Sequence, residues 1–163
     1  MNETKYDWKW DLRASPVALW LHVRNTERFN KAIGIPEPVF TDTPREEGGS
    51  TRTAETPQTG MTLRWKEHPY QWTAPSWMSV EREYERGPIS SLRTNVSLTP
   101  NEHGGTLLRY TVVVKTNGIV GRVVQNLEFS RLRGQMDRGF RRIDDKIAES
   151  AQTASWHLQL APF

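Results

Sequence analysis

At 163 residues, the chain has the length of a single domain with one hydrophobic core, and it shows no internal repeat or low-complexity segment. It contains no cysteine, so disulfides and thiolate metal sites are excluded. Its 22 basic and 19 acidic residues leave a net charge of only +3, which is not typical of a nucleic-acid binder. Met1 to Lys9 is polar and charged, unlike a secretory signal, and no apolar run could span a bilayer, so we expect a cytoplasmic protein.

The N-terminal elements are a strand and two short helices. Apolar and charged residues alternate from Tyr6 to Leu12, which predicts a strand with one apolar face. Ser15-Pro16 favours the start of a helix, because serine caps free amides and proline fits the first turn. Asn25 begins a second helix, which Gly34 ends. The residues expected to be buried on these helices are Leu19, Trp20, Val23, Phe29 and Ile33.

Six strand-like segments follow. Glycine-rich turns, such as Glu47-Gly48-Gly49, separate several of them. Connections this short require antiparallel neighbours, because parallel strands need long crossovers. The segments therefore predict a meander whose fourth strand is interrupted at Ala74-Pro75. They are Val39–Arg45, Ser50–Thr56, Met61–Glu67, Tyr70–Thr73 continuing through Met78–Glu85, Ser91–Thr99 and Leu107–Thr116.

The C-terminal part of the chain changes to helical periodicity. Apolar residues three or four positions apart predict one long helix that packs across the sheet. Gly134 and Gly139 weaken the helix and favour a bend or a close approach to the sheet. We expect the domain to cover residues 1–152, with residues 153–163 as a tail or linker. The apolar positions are Val120, Val123, Val124, Leu127, Leu132, Met136, Phe140, Ile143 and Ile147.

The same helix carries arginines that could form a basic stripe for RNA or anionic lipid. Acidic residues are interspersed among them, for example Asp137 four positions before Arg141. We therefore expect an ion-paired outer face and no specific nucleic-acid partner. The arginines are Arg131, Arg133, Arg138, Arg141 and Arg142.

The order of these elements resembles the helix-grip arrangement of the START-like superfamily, which includes polyketide cyclases and dehydratases, pollen-allergen-like carriers and lipid-transfer domains. Ser15 to Trp20 and Asn25 to Asn30 look like the helix pair of bacterial members. Tyr84 to Gly87 and Leu108 to Val112 look like their later strands.

The resemblance covers Trp8 to Ala148. It implies an α+β fold in which a curved antiparallel sheet of about seven strands grips one long C-terminal helix, with two short helices after the first strand. It implies no catalytic residue, because the superfamily shares no catalytic motif, so enzyme activity stays open. In some bacterial proteins a similar domain precedes a nucleotide-cyclase domain, which makes a fused or partner signalling domain one expectation.

The space between sheet and helix in such a fold tends to hold an apolar or amphipathic ligand. We expect the short helices Pro16–Arg24 and Asn25–Ile33 at the mouth of this cavity, and we expect neither cofactor nor metal, since the four histidines lack metal-site spacing. The expected ligand-binding residues are Arg82, Tyr84, Thr94, Val96, Tyr110, Val112, Trp65, Trp20 and Phe29.

Arg82 shares the parity of Val80 and Tyr84, so we expect its guanidinium to face the interior. A buried guanidinium is costly unless it is paired. It either binds a ligand anion or pairs with an internal carboxylate, and an outward bulge is the remaining alternative. The internal pair is favoured, with Glu55, Asp42 or Asp144 as its carboxylate.

The aromatic residues leave two interpretations each. Tyr84 and Tyr110 either hydrogen-bond a ligand carbonyl or pack their rings locally. The tryptophans either line an aromatic pocket or fill the core; they are Trp8, Trp10, Trp65 and Trp72.

Three functions fit these expectations. The favoured one is a carrier or ligand sensor that binds a small molecule in the cavity. The others are a cyclase- or dehydratase-type enzyme using the same cavity, and a protein-interaction module whose cavity is vestigial. A large cavity favours ligand binding, a filled core favours the interaction module, and an internal acid–base pair favours the enzyme.

Overall fold

The computed structural model describes residues 2–58 and 61–159, and the side chains of residues 58, 61, 118–127 and 152–159 lie outside that description. In this part of the chain, no helix combines the length and apolar composition needed to cross a membrane. The elements in chain order are β1 (Asn2–Leu12), α1 (Pro16–Val23), α2 (Thr26–Ala32), β2 (Val39–Pro44), β3 (Ser50–Gln58), β4 (Met61–Glu67), β5 (Gln71–Thr73), β6 (Trp77–Tyr84), β7 (Ile89–Pro100), β8 (Thr106–Thr116) and α3 (Gly118–Gln159).

The strands form one curved antiparallel sheet with the order β1-β8-β7-β6-β4-β3-β2, and β5 pairs with β6 beside this path. The expected α+β helix-grip arrangement is therefore confirmed, with an eight-stranded sheet in place of the expected seven strands. β8 is an interior strand, since β1 and β7 pair with it on either side. On β1, Trp8, Trp10 and Leu12 are buried while the charged residues between them face outward.

The segment from Tyr70 to Glu85 is a hairpin and not the interrupted single strand expected from the sequence. A turn reverses the chain between β5 and β6, and the Ser76 backbone N–H donates to the Thr73 carbonyl at 2.8 Å. Trp72 then pairs with Met78, in the first half of β6. The second half of β6 is left free to pair with β4, which positions the site described below.

The two short helices begin at the expected caps. Ser15 Oγ accepts a hydrogen bond from the Ala18 amide, and Asn25 Oδ1 accepts one from the Arg28 amide at 3.0 Å. The long helix α3 follows β8 after a single residue and continues to Gln159, so the backbone of residues 153–159, expected as tail or linker, is helical. Whether these residues belong to the domain or to a linker stays a prediction, and residues 160–163 lie outside the described residues.

The core lies between the concave face of the sheet and the helices. Phe140 of α3 packs between Trp10 and Phe29, with ring centroids 4.8 Å from each. Phe129, which the periodicity did not single out, stacks on Tyr6 at 4.6 Å. Among the predicted stripe residues, Met136 and Phe140 are buried, Leu132, Ile143 and Ile147 are partly buried, and the side chains of positions 120–127 lie outside the description.

Candidate functional site

An internal cavity of about 280 Å³ lies between the sheet, α2 and α3. Its walls are mostly aromatic and aliphatic, because strand alternation directs every second side chain of β4, β6, β7 and β8 toward the helices. The helical side of the cavity is formed by Phe29 and Ile33 near the end of α2 and by the inward face of α3. The apolar residues that α3 contributes are Phe129, Leu132, Met136 and Phe140.

Eight of the nine residues expected to bind a ligand line this cavity: Phe29, Trp65, Arg82, Tyr84, Thr94, Val96, Tyr110 and Val112. The ninth, Trp20, is buried on α1 and lies in a neighbouring groove. The structure therefore brings the predicted set together, and contact of these residues with a ligand stays a prediction.

Arg82 forms an internal ion pair with Glu67. Arg82 Nε donates to Glu67 Oε2 at 2.8 Å, and only 20% of the Arg82 side chain and 3% of the Glu67 side chain are exposed. Burial opposes the charge of Arg82, but Tyr70 and Glu67 outweigh this effect and hold the pKa of Arg82 above its ordinary value. The guanidinium is therefore a fixed, neutralised charge on the cavity wall.

The internal pair was correctly favoured, but all three proposed partners were wrong. The register of β4 and β6 places Glu67 directly opposite Arg82, which makes it the nearest carboxylate. Each rejected candidate has another arginine as its partner: Glu55 pairs with Arg64, Asp42 with Arg52 and Asp144 with Arg13. The alternation of Trp65 and Glu67 along β4 was the sequence signal that could have identified the partner.

A hydrogen-bond chain continues from this ion pair to the start of α2. Arg82 Nη2 donates to Tyr70 Oη at 3.3 Å, and Tyr70 Oη lies 3.1 Å from Thr26 Oγ1. Tyr70 was not predicted as a site residue, since it was assigned to a strand and not to the connection before β5. These hydrogen bonds connect α2 to the β4–β5 connection at one edge of the cavity.

Tyr84 and Tyr110, the two cavity tyrosines expected from the sequence, are held in their protonated form. Burial raises the pKa of Tyr84 and of Tyr110 above the ordinary value. The ring of Tyr84 packs against Trp65 with centroids 5.6 Å apart, and Tyr110 also hydrogen-bonds the Thr94 side chain. Both phenols are consequently hydrogen-bond donors or acceptors at neutral pH and are poorly suited to act as bases.

The cavity wall also contains two polar side-chain atoms that have no hydrogen-bond partner among the described residues. Among the described residues, neither Trp65 Nε1 nor Thr56 Oγ1 makes a hydrogen bond, although both atoms are buried. Thr56 lies on β3 next to the strand that carries Trp65. Sequence reasoning expected Trp65 here but did not single out Thr56.

An outer groove of about 570 Å³ adjoins the cavity, and it is shallower and more open. Trp20 and Trp72 lie on its walls with ring centroids 6.5 Å apart. Trp72 is 64% exposed, so it neither fills the core nor lines the inner cavity. The groove shares Thr26 and Tyr70 with the cavity, which places the hydrogen-bond chain at their border.

In the described part of the chain, no three histidine, aspartate or glutamate side chains are grouped so that they could bind a metal ion. The five arginines predicted for the basic stripe of α3 are exposed, and Arg141 pairs with Asp137 at 3.0 Å as the sequence spacing indicated.

An antiparallel sheet curved around one long C-terminal helix, with a cavity between them, defines the helix-grip fold. The chain resembles Ara h 8.0201 with a TM-score of 0.58 and 13% identity, over 91% of this chain and 99% of that one. It resembles the ZhuI aromatase/cyclase from Streptomyces sp. R1128 with a TM-score of 0.57 and 9% identity, over 87% and 96% of the two chains.

The di-domain ARO/CYC protein StfQ from the steffimycin biosynthetic pathway gives a TM-score of 0.64 at 7% identity, over 90% of this chain. The match spans about half of StfQ, 52% of its length. No protein-family model and no curated protein matches the sequence. At these identities the likeness defines the fold, which ligand-binding proteins and cyclases share, and does not define one function.

Proposed function

We propose that the protein is a carrier or sensor that binds a small, uncharged and mainly apolar molecule in its inner cavity. The observation that carries this proposal is the cavity itself, since an enclosed apolar pocket with a few polar groups is the usual form of a small-molecule site. The size of about 280 Å³ indicates a compact ligand. The pairing with Glu67 neutralises Arg82, and the other charged residues that line the cavity, Glu27 and Glu37, are acidic, so a neutral ligand is favoured over an anion.

The same geometry favours binding over catalysis. A general base must be free to accept a proton within reach of the ligand. The buried phenols of Tyr84 and Tyr110 stay protonated, and the Glu67 carboxylate is held by Arg82. A cyclase-type enzyme is the second candidate, because a protonated phenol can also donate to a ligand oxygen.

We place the protein in the cytoplasm, where a fused or partner domain would respond to whether the ligand is bound.

The proposal is tested with N-phenyl-1-naphthylamine, an uncharged probe whose fluorescence rises in apolar surroundings. Wild-type protein should bind it with saturation at one site. Val96, which is 3% exposed and lines the cavity, is replaced by tryptophan to fill space. Val96→Trp should weaken probe binding at least about tenfold and retain a cooperative thermal transition, because a void accepts added volume better than a dense core does.

Val114→Trp provides the matched control. Val114 is fully buried on β8 but does not line the cavity, so the same substitution should destabilise the fold by about 1–3 kcal/mol or more. Absence of probe binding by wild type, together with unfolding of both variants, would show that the interior is packed solid. The protein-interaction module would then be the better interpretation.

A further inference from the structure

The wall of the inner cavity contains two polar atoms, Trp65 Nε1 and Thr56 Oγ1, that make no hydrogen bond to any of the described residues. Trp65 Nε1 is a donor only, and Thr56 Oγ1 can donate or accept. Trp65 is 7% exposed, and among the described residues neither atom has a partner. Native proteins seldom leave buried polar atoms unpaired, so such atoms in a cavity wall need an explanation.

The sheet register brings these two side chains together. Trp65 of β4 lies opposite Ala54 of β3, and Thr56 lies opposite Leu63, so Trp65 and Thr56 are diagonal neighbours. Diagonal neighbours of this kind are about 7–8 Å apart at the backbone, close enough for both side chains to contact one small group between them. Both residues line the cavity.

Trp10, a second buried tryptophan of the sheet, gives an example of an indole whose N–H has a protein acceptor. Trp10 is also 7% exposed, and its Nε1 donates to Asp137 Oδ1 at 3.0 Å. Trp10 does not line the cavity. Trp10 therefore shows that a buried indole on this sheet can have its own protein acceptor outside the cavity.

We propose that Trp65 Nε1 and Thr56 Oγ1 form the subsite for an uncharged acceptor oxygen, such as a ketone or ether oxygen, on the apolar ligand. This inference rests on the proposed function, since it names the chemical group that the same cavity selects. An uncharged oxygen is favoured over a carboxylate because the fixed cation of the cavity, Arg82, is already neutralised by Glu67. The indole and hydroxyl supply neutral donors, which suit a neutral acceptor.

The test compares two compounds with the same carbon skeleton, 2-acetylnaphthalene and 2-ethylnaphthalene, as competitors of N-phenyl-1-naphthylamine. Trp65→Phe removes the indole N–H and keeps an aromatic ring, and Thr56→Val removes the hydroxyl at nearly constant volume. Each variant should weaken the ketone roughly 3- to 10-fold, the loss of one net hydrogen bond. The ethyl compound should change less than about twofold, because it makes no such bond.

Trp10→Phe is the matched control, since it makes the same replacement at the same exposure outside the cavity. It should leave the ratio of the two affinities at the wild-type value. Thr56→Val keeps the experiment decisive if Trp65→Phe does not fold. Equal changes for both compounds in the folded variants would overturn the subsite and leave the cavity as a binding site. Failure of the wild type to bind the naphthylamine probe would instead remove the proposed function and the subsite with it.

Discussion

Asp144 fastens the connection between β1 and α1 to the long helix. Its Oδ1 accepts a hydrogen bond from the Ala14 amide at 2.8 Å, and its Oδ2 accepts one from Arg13 Nε at 3.0 Å. Burial works to raise the pKa of Asp144, but these hydrogen bonds outweigh burial and hold the pKa below its usual range. The ionised carboxylate of Asp144 therefore holds Arg13 and Ala14 in the native structure. The sequence had suggested Asp144 as a partner for Arg82 instead.

We expect Asp144→Asn to lower the free energy of unfolding at pH 7 by about 1–3 kcal/mol, since the charge-assisted hydrogen bonds are lost. The pKa of Asp144 is lower in the folded than in the unfolded chain. Its stabilisation is therefore present above the unfolded value of about 3.9 and fades as pH falls through the folded value. Urea unfolding between pH 6 and pH 3 should show a shallower loss of stability for the variant than for wild type.

Asp145→Asn is the control at the residue scale. Asp145 also pairs with Arg13, but it is 63% exposed, and exposed pairs contribute little. This variant should follow the wild-type pH dependence. If Asp144→Asn follows it too, the buried carboxylate does not determine acid stability.

The helix α3 contains two glycines with opposite surroundings. A Cβ at Gly139 would lie 2.3 Å from Cγ2 of Ile33, so this glycine permits the close approach of α2 and α3. A Cβ at Gly134 would meet only Arg138 Nη1, at 3.6 Å. The sequence predicted a bend in this helix or a close approach of the helix to the sheet. The structure shows that the close approach at Gly139 is to α2.

Gly134→Ala and Gly139→Ala form a matched pair on one helix. Alanine at Gly134 should stabilise the protein by about 0.5–1 kcal/mol, because glycine is costly inside a helix and space is available. Alanine at Gly139 gains the same propensity but must displace Ile33, so we expect a net loss of about 1–3 kcal/mol. Thermal unfolding of the two variants measures both signs. Stabilisation by both substitutions would show that α2 yields easily and that its packing on α3 is loose.

At the scale of the whole molecule, local periodicity predicted most of the elements and their antiparallel order, and the resemblance to START-like proteins implied the helix-grip arrangement. Alternation through Trp8, Trp10 and Leu12 identified the first strand, and the spacing of Met136 and Phe140 identified the long helix. The inward parity of the later strands also predicted six residues that line the cavity: Arg82, Tyr84, Thr94, Val96, Tyr110 and Val112.

What could not be predicted depended on contacts between elements. The β5–β6 hairpin and the partner of Arg82 both follow from the pairing of β6 with two different strands. Alternating side chains look the same whether a segment continues as one strand or turns back at residues 74–76. The register that opposes Glu67 to Arg82 is likewise a property of the assembled sheet. Alternation along β4 indicates that Glu67 shares the face of Trp65, but it does not specify which residue lies opposite Glu67.

The charge of the cavity is the whole-molecule property that decides which ligands it accepts. Arg82 lines the cavity, whereas Glu67 neutralises it from the next strand and is not among the described lining residues. Removal of the carboxylate should therefore expose an unpaired cation to the ligand space. We expect Glu67→Gln to cost about 3–5 kcal/mol of stability, as when one partner of a buried pair is removed.

The same variant should change ligand selectivity from neutral to anionic. In wild type, 2-naphthoate should displace N-phenyl-1-naphthylamine less effectively than the neutral 2-acetylnaphthalene does. In Glu67→Gln, the affinity for 2-naphthoate should rise by about tenfold or more, because a charge-assisted hydrogen bond to Arg82 becomes available. Saturating 2-naphthoate should also raise the melting temperature of this variant by mass action.

Glu81→Gln, which breaks the exposed Glu81–Arg93 pair on the opposite face of β6, should leave the wild-type preference intact. A folded Glu67→Gln variant with unchanged affinity for 2-naphthoate would mean that Arg82 does not reach the ligand, and neutralisation by Glu67 would then play no part in selecting it.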